Sequence, residues 1–351
     1  MRVDDHLDEV YERLAATGPE FDGRLSNHGP MAADALMRMG HAERVDAWVA
    51  AYTARLEPRP ASRVPIAESQ WREPFGDPAR LGDWLAFFSR QVQLRSWQEL
   101  LAIWWPRLLL GAIAGAAHPL IRAGHAVRAL GEADTASRRA ELAQALGYWA
   151  SRWQPIAHQA RPDGALPAEL ALRLVPAPRA RGGIGERLTL LGEQPEWPSA
   201  QARLEPVNDP AAVPAALDML VDTTITRYLS SAHAEPVMLV HASTAPRAAR
   251  LALAGLPRDL WVRTYEQAWS ITAAITAIYS SVESGPEPTS EWLSEGDIAI
   301  GAAAHGDEHV IKFTEVAIES HRRGNTVALS AALQAKRLIP SHPRQVPPRL
   351  A

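Results

Sequence analysis

Two histidines in the middle of the chain are candidate metal ligands, although a straight helix would hold them too far apart to share one ion easily. The sequence has 12 histidines, and His118 and His125 lie seven residues apart in His-Pro-Leu-Ile-Arg-Ala-Gly-His. Seven residues are nearly two helical turns, so both imidazoles would face one side of a helix, roughly 10 Å apart along its axis. A break near His118 or Gly124 would bring the two rings closer together. The alternative is that both histidines cap or pack the helix.

A second cluster combines imidazoles with an amine and reads His305-Gly-Asp-Glu-His309-Val-Ile-Lys312. Asp307 is typical of a helix N-cap, and the helix after it would carry His309 and Lys312 on one face. The surrounding residues are apolar, and burial lowers the pKa of a lysine because it disfavours the charged form. A neutral lysine amine can attack carbonyls or add CO2 to form a carbamate, which is an anionic oxygen ligand. The alternative is a lysine whose charged end reaches solvent from the helix face.

The composition points to the same lysine. Of the 36 basic residues, 34 are arginine and two are lysine, Lys312 and Lys336. Because arginine supplies positive charge almost everywhere in this chain, a retained lysine indicates a position where an amine is needed. Lys336 lies beside Arg337 and is interpreted as an ordinary surface residue. Cysteine is absent, which excludes disulfides, thiolate metal sites, iron–sulfur clusters and a cysteine nucleophile.

Two further histidines lie in short motifs. Asn27-His28-Gly29-Pro30 stands at a helix entrance, and His241 ends an apolar run in Val240-His241-Ala-Ser-Thr-Ala-Pro246. Taken alone, each motif is more typical of a histidine that caps a helix or lines the core.

Taken in order, the four patches resemble the questin oxidase-like family, which occurs in fungal aromatic polyketide pathways and in bacteria. The patches read Asn-His-x-Pro-Met with a following Ala-Leu-x-x-x-Gly, then His-Pro-Leu-Ile-x-x-Gly-His, His-Ala-x-Thr-Ala-Pro and Asp-x-His-Val-Ile-Lys. The resemblance spans about residues 20–325. It implies a mainly helical non-haem iron oxygenase (a dioxygenase or monooxygenase) of secondary metabolism, which uses O2 to oxidise or ring-cleave a polycyclic, quinone-like natural product.

The resemblance also implies a metal site of four histidines and a carboxylated lysine. Carried over to this sequence, the ligands are His28, His118, His125, His309 and Lys312. The implied catalytic residues are Lys312 and His241. His305, Asp307 and Glu308 are expected to contact substrate or the ligands, since a ligating histidine needs an acceptor for its second ring nitrogen.

The implied cofactors are Fe(II) and a CO2-derived carbamate on Lys312. Imidazole suits iron, and the absence of cysteine agrees with nitrogen and oxygen ligation. Five ligands would leave one position for O2. The sequence shows no nucleotide-binding fingerprint for NADPH.

Helices must position these residues. Apolar periodicity and capping residues predict helices over residues 4–17, 31–39, 41–56, 80–95, 97–105, 108–117, 119–130, 134–158, 211–232, 244–254, 258–282, 288–304 and 307–323. Ser96 and Glu99 have the form of a capping box, and Pro106 is expected to break or kink the helix that begins there.

The chain is predicted to be all-α, with one large domain over residues 1–338. Irregular, Pro-rich stretches are expected at 58–78 and, as a loop-rich excursion, at about 161–210. An extended tail is expected over 339–351. Alternating strand and helix patterns are missing, so a Rossmann fold or a barrel is not expected.

The composition and net charge limit the kinds of partner that the protein is expected to bind. With 351 residues, 47% hydrophobic and 22% charged, the chain has the make-up of a soluble globular protein. A net charge of −4 gives no strong field that favours nucleic acid or an anionic membrane. The acidic N-terminus lacks the apolar segment of a signal peptide, and the most apolar stretch, 100–121, is interrupted. We therefore expect a cytoplasmic protein whose partners are a small aromatic substrate and O2, with its oligomeric state open.

Two other functions stay open at this point. One is a metallohydrolase with a carbamylated lysine, although such sites usually add an aspartate ligand and lie on a barrel. The other is a non-catalytic helical binding protein, in which 12 tryptophans and an Ala-rich core line a groove for a hydrophobic ligand. The binding protein predicts that the histidines do not converge in space.

Overall fold

Helices dominate the computed structural model, which describes residues 3–178, 182–280 and 294–341. The predicted all-α class is confirmed. Among these residues the strands are two short segments, β1 (Glu20–Phe21) and β2 (Leu25–Ser26), which pair antiparallel with Glu20 opposite Ser26. The start of the helix predicted at 288–304 and most of the predicted tail at 339–351 lie outside the described residues.

The first three helices share a small core of their own, built from leucine, valine and alanine side chains. These helices are α1 (Val3–Ala15), α2 (Gly29–Arg38) and α3 (Ala42–Thr53). The two strands lie between α1 and α2, so the chain turns sharply just before His28.

The next four helices carry an aromatic core in which Trp84, Trp104, Trp105 and Trp149 are fully buried. They are α4 (Leu81–Leu94), α5 (Trp97–Leu108), α6 (His118–Glu132) and α7 (Ala136–Arg152). The predicted capping box at the start of α5 is confirmed. The predicted break at Pro106 is wrong, because α5 continues to Leu108. Proline has no N–H to donate, and here the hydrogen bond that is lost belongs to the last turn of the helix.

The helix predicted over 108–117 is also wrong. The chain there forms 3-10 turns at Leu109–Gly111 and Ala114–Ala117. Gly115, Ala116 and Ala117 adopt left-handed backbone conformations, with φ of 51°, 58° and 65°. This turn reverses the direction of the chain immediately before α6.

Helix α6 is unbroken at Gly124. The missing side chain of this glycine instead lets α6 lie close to the helix that contains Ala248. A side-chain carbon at Gly124 would lie only 2.6 Å from the carbonyl oxygen of Ala248 on the facing helix. His118 and His125 therefore stay nearly two turns apart.

Three short helices occupy the segment for which irregular structure was expected. They are α8 (Ala168–Arg173), α9 (Ile184–Gly192) and α10 (Trp197–Ala202). Leu172, Leu191 and Trp197 are buried in the main core, so this segment contributes to the packing of the molecule.

The remaining helices complete the main core. They are α11 (Val213–Ser231), α12 (Pro236–Leu239), α13 (His241–Ala252), α14 (Trp261–Tyr279), α15 (Glu295–His305), α16 (Glu308–Arg322) and α17 (Ala328–Leu338). Helix α13 packs against α6, α11 and α14, while α16 packs against α2, α15 and α17. None of the helices in the described ranges combines the length and the hydropathy needed to cross a membrane.

Candidate metal centre

Four histidines enter one buried cluster, each from the start of a different helix. His28 immediately precedes α2, His118 and His241 are the first residues of α6 and α13, and His309 is the second residue of α16. All four side chains are buried. The packing of α16 on α2 and of α13 on α6 brings these helix starts together. We call these four residues the histidine cluster.

Three ring nitrogens of the histidine cluster are close enough together to hold one ion. One ligand nitrogen each from His28, His118 and His309 lies within 4.8 Å of the other two, and the Nε2 atoms of His28 and His118 are 2.5 Å apart. His241 joins this group through His118, because the Nε2 atoms of these two histidines are 2.9 Å apart. Neighbouring nitrogens bound at about 2.1 Å to one metal lie about 3 Å apart. The group of His28, His118 and His309 could therefore hold a transition-metal ion, with His241 beside it.

Two of the clustered histidines are oriented by backbone carbonyls. The Nδ1 atom of His118 contacts the carbonyl oxygen of Gly115, and Nδ1 of His241 lies 3.1 Å from that of Met238. Each carbonyl belongs to the residue three positions earlier, so the turn before each helix fixes which nitrogen points inward. This arrangement leaves Nε2 free to bind a metal, as in most histidine metal sites.

Carboxylates face the second nitrogens of the other two histidines. Glu308 Oε1 lies 3.3 Å from Nδ1 of His28, and Asp307 Oδ1 lies 3.4 Å from Nδ1 of His309. Asp307 also caps α16, as predicted, by accepting hydrogen bonds from the backbone N–H groups of His309 and Val310. The structure thus places both acidic residues singled out from the sequence against the histidine cluster.

Lys312 lies one turn after His309 on α16, and its side chain is 1% exposed. Its Nζ atom is buried without a hydrogen-bond partner. Burial lowers the pKa of Lys312 to about 8, although the carboxylates of Glu308 and Asp307 oppose the shift. The lowered pKa increases the fraction of this amine that is neutral, and therefore nucleophilic, near neutral pH.

Three of the clustered histidines resist protonation. Burial holds the pKa values of His28, His118 and His241 well below the usual range, and positive charge on Lys312 lowers them further. Neutral imidazole is the form that binds metals. The interior therefore keeps these rings ready for a metal at neutral pH.

His125 and His305 lie elsewhere. The Nδ1 atom of His125 is 2.8 Å from Oδ2 of Asp34 on α2, in a buried network that includes Arg128. His305 ends α15, and its Nε2 atom is 3.0 Å from the carbonyl oxygen of Ile339. The structure thus brings His241 into the cluster and leaves His125 outside it.

Arg55 is a site residue that the sequence did not reveal. Its Nη2 atom donates a hydrogen bond of 2.8 Å to Oε1 of Glu308, although the two residues are 253 positions apart. In a chain with 34 arginines, neither its type nor its sequence neighbours mark it.

The comparison with protein families bears on the first part of the chain. Residues 25–163 match the family model described as questin oxidase-like. Over this stretch the sequence is similar to that family. The matched residues include His28, His118 and the left-handed turn, whereas His241, His309 and Lys312 lie beyond them. The family name indicates an oxidase, which agrees with the resemblance seen in the sequence. A search of curated proteins found no match.

Proposed function

We propose that this questin oxidase-like chain is a non-haem iron oxygenase that uses O2 to oxidise or ring-cleave a polycyclic aromatic or quinone-like compound. The observation that carries the proposal is the convergence of His28, His118, His241 and His309 in one buried cluster, one turn from the buried amine of Lys312. A cluster of neutral imidazoles without cysteine suits iron.

The proposed ligands are the four histidines of the cluster together with a carboxylated Lys312. His241 replaces His125, which the family resemblance implied as a ligand, because the Nε2 atoms of His241 and His118 are 2.9 Å apart. His125 instead belongs to the Asp34 network.

Lys312 would become a ligand by reacting with CO2. Its neutral amine forms a C–N bond to CO2 and releases one proton, which gives a carbamate with two oxygen donors. Its low pKa favours the reactive amine, and burial protects the carbamate from water. When bound, iron would supply an open coordination position for O2 and electrons for its reduction.

The non-catalytic alternative predicts that the histidines stay apart, and their convergence counts against it. The hydrolytic alternative would require zinc or nickel and turnover without O2. The helical fold counts against it, since such sites usually lie on a barrel. An aspartate ligand would have to come from Asp307, which could hold a metal with Glu308 and His309 but already caps α16.

Metal analysis and O2 uptake test the proposal. Protein purified without chelators, or reconstituted anaerobically with Fe(II), should hold one iron per chain. It should consume O2 when a polycyclic hydroquinone or an anthraquinone-type compound is added. A chain that binds no transition metal after reconstitution would contradict the proposal, and hydrolysis by a zinc-loaded chain without O2 would favour the hydrolase.

A further inference from the structure

We infer that Glu308 is the positioning residue for His28, holding this ring so that its Nε2 atom faces the other histidines. The inference rests on the proposed metal site and deepens it. In this inference Glu308 on α16, held by Arg55 after α3, orients the proposed ligand His28.

The contacts of His28 leave its ring dependent on Glu308. The backbone N–H of His28 donates to the hydroxyl of Tyr52 at 2.8 Å, which fixes the main chain. Nothing in that bond orients the imidazole. The Nδ1 atom of His28 is buried and makes no hydrogen bond within the described residues, and Oε1 of Glu308 lies 3.3 Å from it. A proton that Nδ1 shares with this carboxylate leaves Nε2 with its lone pair directed into the cluster.

Arg55 supports the carboxylate from the solvent side. Its side chain is 32% exposed, while that of Glu308 is 5% exposed. The Arg55 guanidinium lies over the rings of Tyr52 and Phe21, 4.6 Å and 5.3 Å from their centres. The Arg55 guanidinium donates a hydrogen bond of 2.8 Å to Oε1 of Glu308, and this contact holds the carboxylate in place beside His28.

Glu308 is also the acceptor that mutation can remove cleanly. His118 and His241 are oriented by backbone carbonyls, which no substitution deletes. Asp307 both faces His309 and caps α16, so its replacement would disturb the helix as well. Loss of a residue that orients a metal ligand typically weakens metal affinity 10- to 100-fold.

The test compares Glu308→Leu with Glu315→Leu, since leucine has a similar volume and no hydrogen-bond acceptor. Glu315 lies on the same helix, is buried to the same degree and pairs with an arginine, Arg128, at 2.6 Å. The apoproteins are titrated with Co²⁺, whose visible absorption reports its ligands. We expect Glu308→Leu to weaken Co²⁺ binding 10- to 100-fold and to shift the absorption band. Glu315→Leu should leave both unchanged.

The outcomes separate the inference from the proposed function. If wild type binds one Co²⁺ per chain and Glu308→Leu binds it equally well with the same spectrum, the inference is wrong while the metal site stands. Equal weakening by Glu315→Leu also overturns it, because the effect would then be general. If wild type binds no Co²⁺, the proposed function fails and the inference fails with it. Should Glu308→Leu not fold, Arg55→Met at the partly exposed position carries the same test, and unchanged affinity there overturns the inference.

Discussion

At the scale of single residues, the two lysines of the chain differ in their surroundings. Lys336 is exposed on α17. Lys312 is buried, lacks a hydrogen-bond partner and has a pKa lowered by burial to about 8. A buried amine without a partner is costly, and a role as a carbamate ligand would explain why this position keeps it.

Replacement of Lys312 should abolish metal binding. Lys312→Ala removes the amine that forms the carbamate, and Lys312→Arg keeps the charge but cannot form one. We expect less than a tenth of the wild-type iron content in both variants. Acetate or propionate should restore binding to Lys312→Ala, because a short carboxylate fits the space left by the side chain and supplies the missing oxygen donors. Metal analysis of the dialysed proteins measures this.

Lys336→Ala is the matched control, since it removes the other lysine from an exposed position, and it should bind iron normally. A full complement of iron in Lys312→Ala without added acid would show that Lys312 is not a ligand.

The fourth imidazole ligand can be identified by comparing two histidines. We expect His241→Gln to lose most of its metal affinity, because its Nε2 atom faces that of His118. His125→Gln should bind metal normally and lose stability, because Asp34 loses a buried partner. Isothermal titration with Co²⁺ and urea denaturation give the two quantities. The reverse result would return the ligand role to His125.

At the scale of elements, the turn before α6 shows where sequence reasoning fails. The stretch 108–117 is apolar and rich in alanine, and helix propensity favours a helix there. Gly115 instead packs so tightly that a side-chain carbon would lie 2.9 Å from the hydroxyl of Tyr148, which itself bonds to Ser26. Tertiary contacts therefore impose the left-handed turn that aims His118.

Substitutions in this turn should change stability in opposite directions. Gly115→Ala meets both the positive φ and the Tyr148 hydroxyl, and should cost about 1–3 kcal/mol. Ala116→Gly relieves a side chain at φ of 58° and should stabilise the protein by up to about 1 kcal/mol. Urea denaturation of the apoproteins measures both. Equal effects of the same sign would contradict a strained turn.

Local signals were readable from the sequence, and long-range ones were not. The Ser96 capping box and the Asp307 cap depend on residues within one turn, so the sequence predicted them. The pairing of Arg55 with Glu308, and the choice of His241 over His125, depend on how separate helices pack. No spacing within one segment carries that information.

At the scale of the whole molecule, the interior joins neutral imidazoles to paired charges. Beyond the histidine cluster, Arg128 bridges Asp34 and Glu315 across three helices, α6, α2 and α16. Of these helices, α6 carries His118, α16 carries His309, and α2 begins immediately after His28. The histidine cluster and the charged network therefore belong to one packed unit, and we expect acid to destabilise this unit before the carboxylates titrate.

The apoprotein should lose stability as the pH falls below about 6.5, the ordinary pKa of histidine. His28, His118 and His241 have pKa values lowered by burial, so the unfolded chain takes up protons that the folded chain refuses. Stability is thus fully present above about pH 6.5 and is lost as the pH falls toward the folded values. Each refused proton contributes about 1.4 kcal/mol per pH unit. Urea denaturation with chelator between pH 8 and pH 5 measures the slope. His241→Gln should lower the slope of stability against pH by the contribution of one proton. A wild-type free energy of unfolding that stays constant from pH 7 to pH 5 would contradict the lowered pKa values of these buried histidines.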